Sequence, residues 1–207
     1  ERRFVFIPSL PWVAMGSKTL DQISFDLEKP LGRKKIDLVH ATVSRLNPQA
    51  QKVVTDGGEL SYDYLVIATG HRSANEAVPG LGPFDGPGHS VMSPPEAEEA
   101  RDALKVFVEN PGPMVVGCAP GASCIGPAYE FVFEIDHIMR KRKIRHKAPI
   151  AFVTPEPFLG HFGIGGMGKM RQFLEGEFEE RDIRYYTSAA VSKITETSVE
   201  LADGKAF

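Results

Sequence analysis

Of the two cysteines in the sequence, Cys124 is the one whose surroundings could make it react. It lies in Gly121-Ala122-Ser123-Cys124-Ile125-Gly126, a turn expected to join a strand to a helix. A thiol near a helix N-terminus has its thiolate stabilised by the dipole, and the thiolate is the nucleophile. The competing reading is a small buried hydrophobe, and position alone does not separate the two. Cys118, at the end of the preceding strand, reads as the packing case. Glu130 lies inside the aromatic run Tyr129-Glu130-Phe131-Val132-Phe133. Buried with a raised pKa it would serve as a proton acceptor for a thiol; on a solvated helix face it would not. His161 stands in Gly160-His161-Phe162-Gly163-Ile164-Gly165-Gly166-Met167-Gly168, a second glycine-rich loop with the look of a phosphate loop, where a lone histidine is more often structural than catalytic. No cysteine and histidine set has zinc spacing, and two cysteines build no disulfide framework, so neither a metal nor secretion is indicated.

The elements that must position these residues form a βαβαβ series. Pro113 to Val116 reads as a buried strand, Gly117 to Gly126 as a turn, and Pro127 to Arg142 as a helix. Ala148 to Thr154 is the next strand, Met167 to Arg181 a helix and Ile183 to Tyr186 a strand. Ala190 to Thr195 and Ser198 to Ala202 follow as a hairpin. Such connectivity gives a mostly parallel sheet with right-handed crossovers. The glycine spacing Gly117-x-x-x-Gly121-x-x-x-x-Gly126 departs from the dinucleotide fingerprint, because Cys118-Ala119-Pro120 stands where the second glycine belongs. The turn therefore suits the fold better than it suits NAD(P).

Upstream, Phe4 to Ile7 reads as a strand ending in a loop, Ser9-Leu10-Pro11-Trp12, that can reach a ligand. Thr19 to Leu31 reads as a short helix or irregular segment, and residues 36–62 as strands joined by turns. Asp63-Tyr64-Leu65-Val66-Ile67-Ala68-Thr69-Gly70 has the unbroken apolar run of a strand buried on both faces. A helix is expected from Pro95, with Ala97, Ala100, Leu104, Phe107 and Val108 on one side. The expected domains are 1–75, a linker at 76–94 rich in Gly and Pro, and 95–207 carrying Cys124. A chain of 207 residues with 42% hydrophobic and 25% charged residues can bury a core, and a net charge of −3 gives no nucleic-acid footprint. The basic run from Arg140 to Lys147 is expected to complement a helix dipole and face solvent. No stretch approaches the roughly 20 apolar residues of a membrane span.

Four segments together resemble sulfide:quinone oxidoreductases: Phe6-Ile7-Pro8-Ser9-Leu10-Pro11-Trp12-Val13; Tyr62 to Gly70; Gly121-Ala122-Ser123-Cys124-Ile125-Gly126-Pro127-Ala128-Tyr129-Glu130-Phe131; and Phe152 to Gly163. The resemblance spans nearly the whole chain, and Cys124 to Phe131 is its specific part. It implies an α/β fold: a Rossmann-like three-layer second dinucleotide-binding domain beside a partial FAD domain with β-strands. It implies hydrosulfide attacking an oxidised cysteine bridge, two electrons passing through FAD to a quinone, and polysulfide or sulfur leaving. Cys124 then matches one of two central cysteines, Glu130 a proton-transfer acid, and His161 a histidine near the site. Ser9, Pro11, Ala68, Thr69 and Gly70 become the FAD contacts. Peripheral attachment to the cytoplasmic membrane of a prokaryote follows from the same resemblance, and a homo-oligomer is compatible with it.

Three positions depart from the family's pattern. Ser90-Val91-Met92-Ser93 lacks a further cysteine, Glu96 stands where some members carry a histidine, and Leu10 replaces an asparagine. The chain begins within a predicted strand and stops after a turn, so an internal piece is expected, with the partner cysteine outside it. The other readings are a flavocytochrome-type sulfide dehydrogenase subunit and a non-catalytic relative acting as an interaction module.

Overall fold

In this computed structural model, which describes residues 2–82 and 86–207, the strands are β1 Arg3–Val5, β2 Ser24–Asp26, β3 Val43–Asn47, β4 Lys52–Thr55, β5 Gly58–Ser61, β6 Met114–Gly117, β7 Ile150–Val153, β8 Ile183–Tyr186, β9 Val191–Ile194 and β10 Val199–Leu201. The helices are α1 Leu10–Ala14, α2 Glu28–Arg33, α3 Pro94–Glu109, α4 Gly126–Lys141 and α5 Met170–Glu180. Contacts divide the chain into two compact units, one of residues up to Val5 with Ser24–Ser73, the other of Phe6–Ile23 with Ala74–Phe207. Residues 83–85 of the expected linker lie outside the described residues. Phe6–Ile23, grouped with 1–75 in the sequence reading, belongs to the second unit.

The first unit holds the antiparallel pair β1–β2 and the antiparallel meander β3–β4–β5. The run 63–70 is no strand. It is irregular, with Tyr64 94% and Val66 85% exposed. A strand buried on both faces needs hydrogen-bonding neighbours, and among the described residues this run pairs with none. Residues 36–42 are likewise irregular, and the strand begins only at Val43.

The second unit carries the parallel sheet, in the order β6-β7-β8. Helices α4 and α5 supply the apolar stripes that cover it. Tyr129, Val132, Ile135 and Met139 of α4 and Leu174 and Phe178 of α5 join Phe152 and Ile183 in one buried cluster. Spacings of three and four residues put these side chains on single helix faces. Gly117 ends β6 because β7 runs so close that a Cβ there would lie 2.0 Å from the Val153 carbonyl oxygen. The expected hairpin is present as the antiparallel pair β9–β10.

Two expectations change in this unit. Ser9-Leu10-Pro11-Trp12 is not a loop: Ile7–Ser9 forms a single 3-10 turn that runs into α1. Pro8 and Pro11 fall in the first positions of those turns, where a missing N–H costs nothing. Leu10, Val13 and Ala14 are buried, while α1 makes its most extensive packing with α3. The basic run does not simply face solvent either. Asp136, 2% exposed, receives Arg140 Nε at 2.8 Å and Arg145 Nε at 2.7 Å. Arg145 also donates to the carbonyls of Ala148, Arg181 and Asp182. Among the described residues no helix is long and apolar enough to cross a membrane.

Candidate active site

The carboxyl edge of the parallel sheet is where open α/β folds place their ligands. Two connections leave that edge, 118–125 after β6 and 154–169 after β7. In the first, Cys118 is buried at 7% exposure, its Sγ 4.0 Å from the Ile125 carbonyl oxygen. Burial, then the charges of Glu156 and Cys124, push the Cys118 thiol up to about 12, so it stays a thiol. Cys124 is exposed, two positions before α4. No side chain caps that helix and no acid lies in its first turn, which leaves its N-terminal dipole uncompensated next to the thiol.

Glu130 is exposed and not buried as one reading of the sequence required. Its Oε1 accepts the Trp12 indole N–H at 3.0 Å, which ties α1 to α4. The half-buried carboxyl is Glu134, one turn further on. Its Oε2 is buried and finds no hydrogen-bond partner among the described residues. Burial first, and then the neighbouring Glu130 charge, raise its pKa, and the Trp12 N–H opposes them. One N–H thus lies between two carboxyls. The sequence reading did not single out Glu134 or pair Trp12 with Glu130, although the four-residue spacing of Glu130 and Glu134 puts those two acids on one helix face.

His161 lies in the second connection. Its Nδ1 accepts the Gly163 N–H at 3.2 Å, so the neutral ring carries its proton on Nε2. Phe158 meets the ring edge-on at 5.1 Å. The loop is anchored by Glu156, 3% exposed, whose Oε2 accepts from Tyr129 Oη at 2.6 Å and Thr154 Oγ1 at 2.8 Å. Its Oε1 accepts the Phe162 N–H at 2.7 Å, and the Tyr129 oxygen accepts the Gly160 N–H at 2.9 Å. Burial and the bond to Glu156 raise the Tyr129 pKa far above the phenol range. Among the described residues no hydrogen bond joins Cys124, Glu130 and His161 directly; α4 and the loop are joined through Tyr129 and Glu156.

The expected flavin contacts divide between the units. Ala68, Thr69 and Gly70 belong to the first, are exposed, and make no backbone hydrogen bond among the described residues, with Gly70 at φ 78°. Small side chains and free backbone groups are what a dinucleotide pyrophosphate needs, so this segment fits FAD. Ser9, 4% exposed, and Pro11 belong to the second unit and are buried, turned inward by the helical turns that replace the expected loop. No group of three or more His, Cys, Asp or Glu among the described residues is placed to hold a metal.

No family model matches the chain. A ferredoxin reductase from Rhodopseudomonas palustris superposes with a TM-score of 0.68 over 98% of this chain and 47% of that one, at 18% identity. The parallel sheet, its covering helices and this likeness define a Rossmann-like α/β fold. Within that class the similarity to one group is much closer. The sulfide:quinone oxidoreductase of Aquifex aeolicus superposes with a TM-score of 0.91 and 36% identity over 100% of this chain and 48% of that one. The curated sulfide-quinone reductase of Aquifex aeolicus (strain VF5) is 38% identical over 201 residues, 97% of this chain and 46% of its own length. The chain is a homologue of the sulfide:quinone oxidoreductases throughout the stretch it shares with them, and it spans about half the length of these relatives.

Proposed function

We propose that this chain is the thiol-bearing portion of a flavin-dependent enzyme that oxidises sulfide and delivers the electrons to a quinone. The observation that carries the reading is the exposed Cys124 at the carboxyl edge of the parallel sheet, ahead of an uncapped helix, in a chain homologous to sulfide:quinone oxidoreductases. Hydrosulfide attacks a disulfide between Cys124 and a cysteine outside this chain. The S–S bond breaks, one sulfur becomes a persulfide, and the other leaves as a thiolate. Cys124 lies at the positive end of the α4 dipole. Glu130, oriented by Trp12, takes the proton that sulfide loses, and the Nε2–H of His161 is available to the departing thiolate. FAD, held in part by Ala68, Thr69 and Gly70, supplies the two-electron acceptor.

Sulfide-dependent quinone reduction by the full-length protein tests this. Cys124→Ser should lower kcat by at least about 10³-fold, as loss of a nucleophile does, with flavin content unchanged. Undiminished activity in that variant would sink the assignment.

A further inference from the structure

We infer that Glu156 is a positioning residue: by binding Phe162 N–H directly and Gly160 N–H through the Tyr129 hydroxyl, it fixes His161 against the helix that carries Glu130. The inference rests on the thiol chemistry proposed above for this site. In a dinucleotide-binding unit, an acid beyond the second strand of the βαβ unit is normally offered to a ribose. Glu156 follows β7, the corresponding strand, but is only 3% exposed, and both of its oxygens are occupied from within. It is therefore not presented to a sugar.

A buried carboxylate is costly, and a well-packed apolar side chain of similar volume is often no worse for stability. What the carboxylate gives here is direction. The 2.6 Å bond from Tyr129 and the 2.7 Å bond from Phe162 are short and charge-assisted. Together with the Gly160 bond to Tyr129, they grip the residues on either side of His161 and leave the imidazole between two fixed points. The loop needs such a grip. Phe162 holds φ at 51°, a conformation costly for a side chain of its bulk, and its amide is the one bound by Oε1. Gly160, at φ 75°, holds a conformation that a side chain rarely adopts, and a Cβ there would lie 2.9 Å from Leu174 Cδ1, which would have to shift. Tyr129 immediately precedes Glu130, so one hydroxyl couples the loop's geometry to that of the acid. Burial first, and then the Glu156 charge, keep Cys118 a thiol, and Cys124 is the exposed one of the two cysteines.

The test uses the full-length protein carrying Glu156→Gln or Tyr129→Phe. Glu156→Gln should lower kcat for sulfide-dependent quinone reduction by about 10²-fold, the scale of a 1 Å misplacement, with the KM for sulfide little changed. Selective ¹⁵N-histidine NMR should show His161, identified by its loss in His161→Ala, moving from one Nε2–H tautomer to a mixture. Should Glu156→Gln not fold, Tyr129→Phe removes only the Gly160 arm and is expected to cost roughly 10-fold in kcat. An unchanged kcat in a folded variant overturns the inference. If the wild-type protein shows no sulfide-dependent turnover, the proposed function falls by itself. The NMR arm then decides on Glu156 alone, and an unaltered tautomer in Glu156→Gln overturns it.

Discussion

Among individual residues, the most consequential finding is that the carboxyl with a raised pKa lies one turn beyond the acid first expected to have it. Glu130 reaches solvent and holds the Trp12 indole, while Glu134 keeps a buried, unpartnered oxygen behind it. Burial and the Glu130 charge place the Glu134 pKa above its ordinary 4.5. A carboxyl raised on folding binds its proton more tightly in the folded state. It therefore costs nothing below pH 4.5, and stability is lost as pH rises from there through the folded value. Glu134→Gln keeps an acceptor for Trp12 and removes that loss. Its Tm should exceed the wild-type value at pH 7 by a few degrees at most, since 1 kcal/mol is worth roughly 2–4 °C at this size. At pH 3 the gain should vanish. Thermal melts followed by circular dichroism at both pH values check this, and a gain confined to low pH would show that the sign is wrong. Position 134 could have been picked from its spacing to Glu130. Which of the two is buried could not, because it depends on how α1 packs.

For the elements, the parallel sheet was legible because its strands are short apolar runs separated by helices with apolar stripes at three- and four-residue spacing. The same logic misread 63–70. An apolar run becomes a strand only where another strand offers hydrogen bonds, and a single sequence does not carry that information. It also misread 9–12, where Pro11, and Pro8 just before it, sit in the first turns of helical segments although prolines usually mark loops. The basic run held a third surprise, since Arg140 and Arg145 converge on the buried Asp136 and so join α4 to the turn before β8. Breaking a buried pair leaves uncompensated charge. Asp136→Ala should cost about 3–5 kcal/mol in urea unfolding. Asp203→Ala removes the exposed pair with Lys205, 2.9 Å apart, and should leave the urea midpoint close to the wild-type value. Equal losses from the two substitutions would mean that Asp136 ties nothing together.

Across the whole molecule, the apolar core is very unevenly distributed. In the first unit Val53 is the one buried apolar side chain among the described residues, whereas the second unit holds Phe152, Phe178, Leu10, Ile135, Met139 and Leu159 with under 2% exposure. At about 25 cal/mol per Å² of buried apolar surface, a small antiparallel meander with one buried valine gains little to offset its ordering entropy. The composition of the chain does not reveal this, because the first unit contains plenty of apolar residues: Phe4, Phe25, Ile36, Val39, Val43, Leu46, Leu60 and Tyr64 to Ile67 are all there, and all are exposed. Apolar content gives stability only where an element exists to cover it. Amide hydrogen exchange on this chain should therefore separate the units. Amides of β4 should exchange at least about 10³-fold faster than those of β7, a gap of roughly 4 kcal/mol in opening free energy. Deleting the single buried contact should widen nothing: Val53→Ala should leave β7 protection unchanged, because β7 draws its stability from Tyr129, Phe178 and Ile183. Similar protection for β4 and β7, or loss of β7 protection in Val53→Ala, would show that the two units open together.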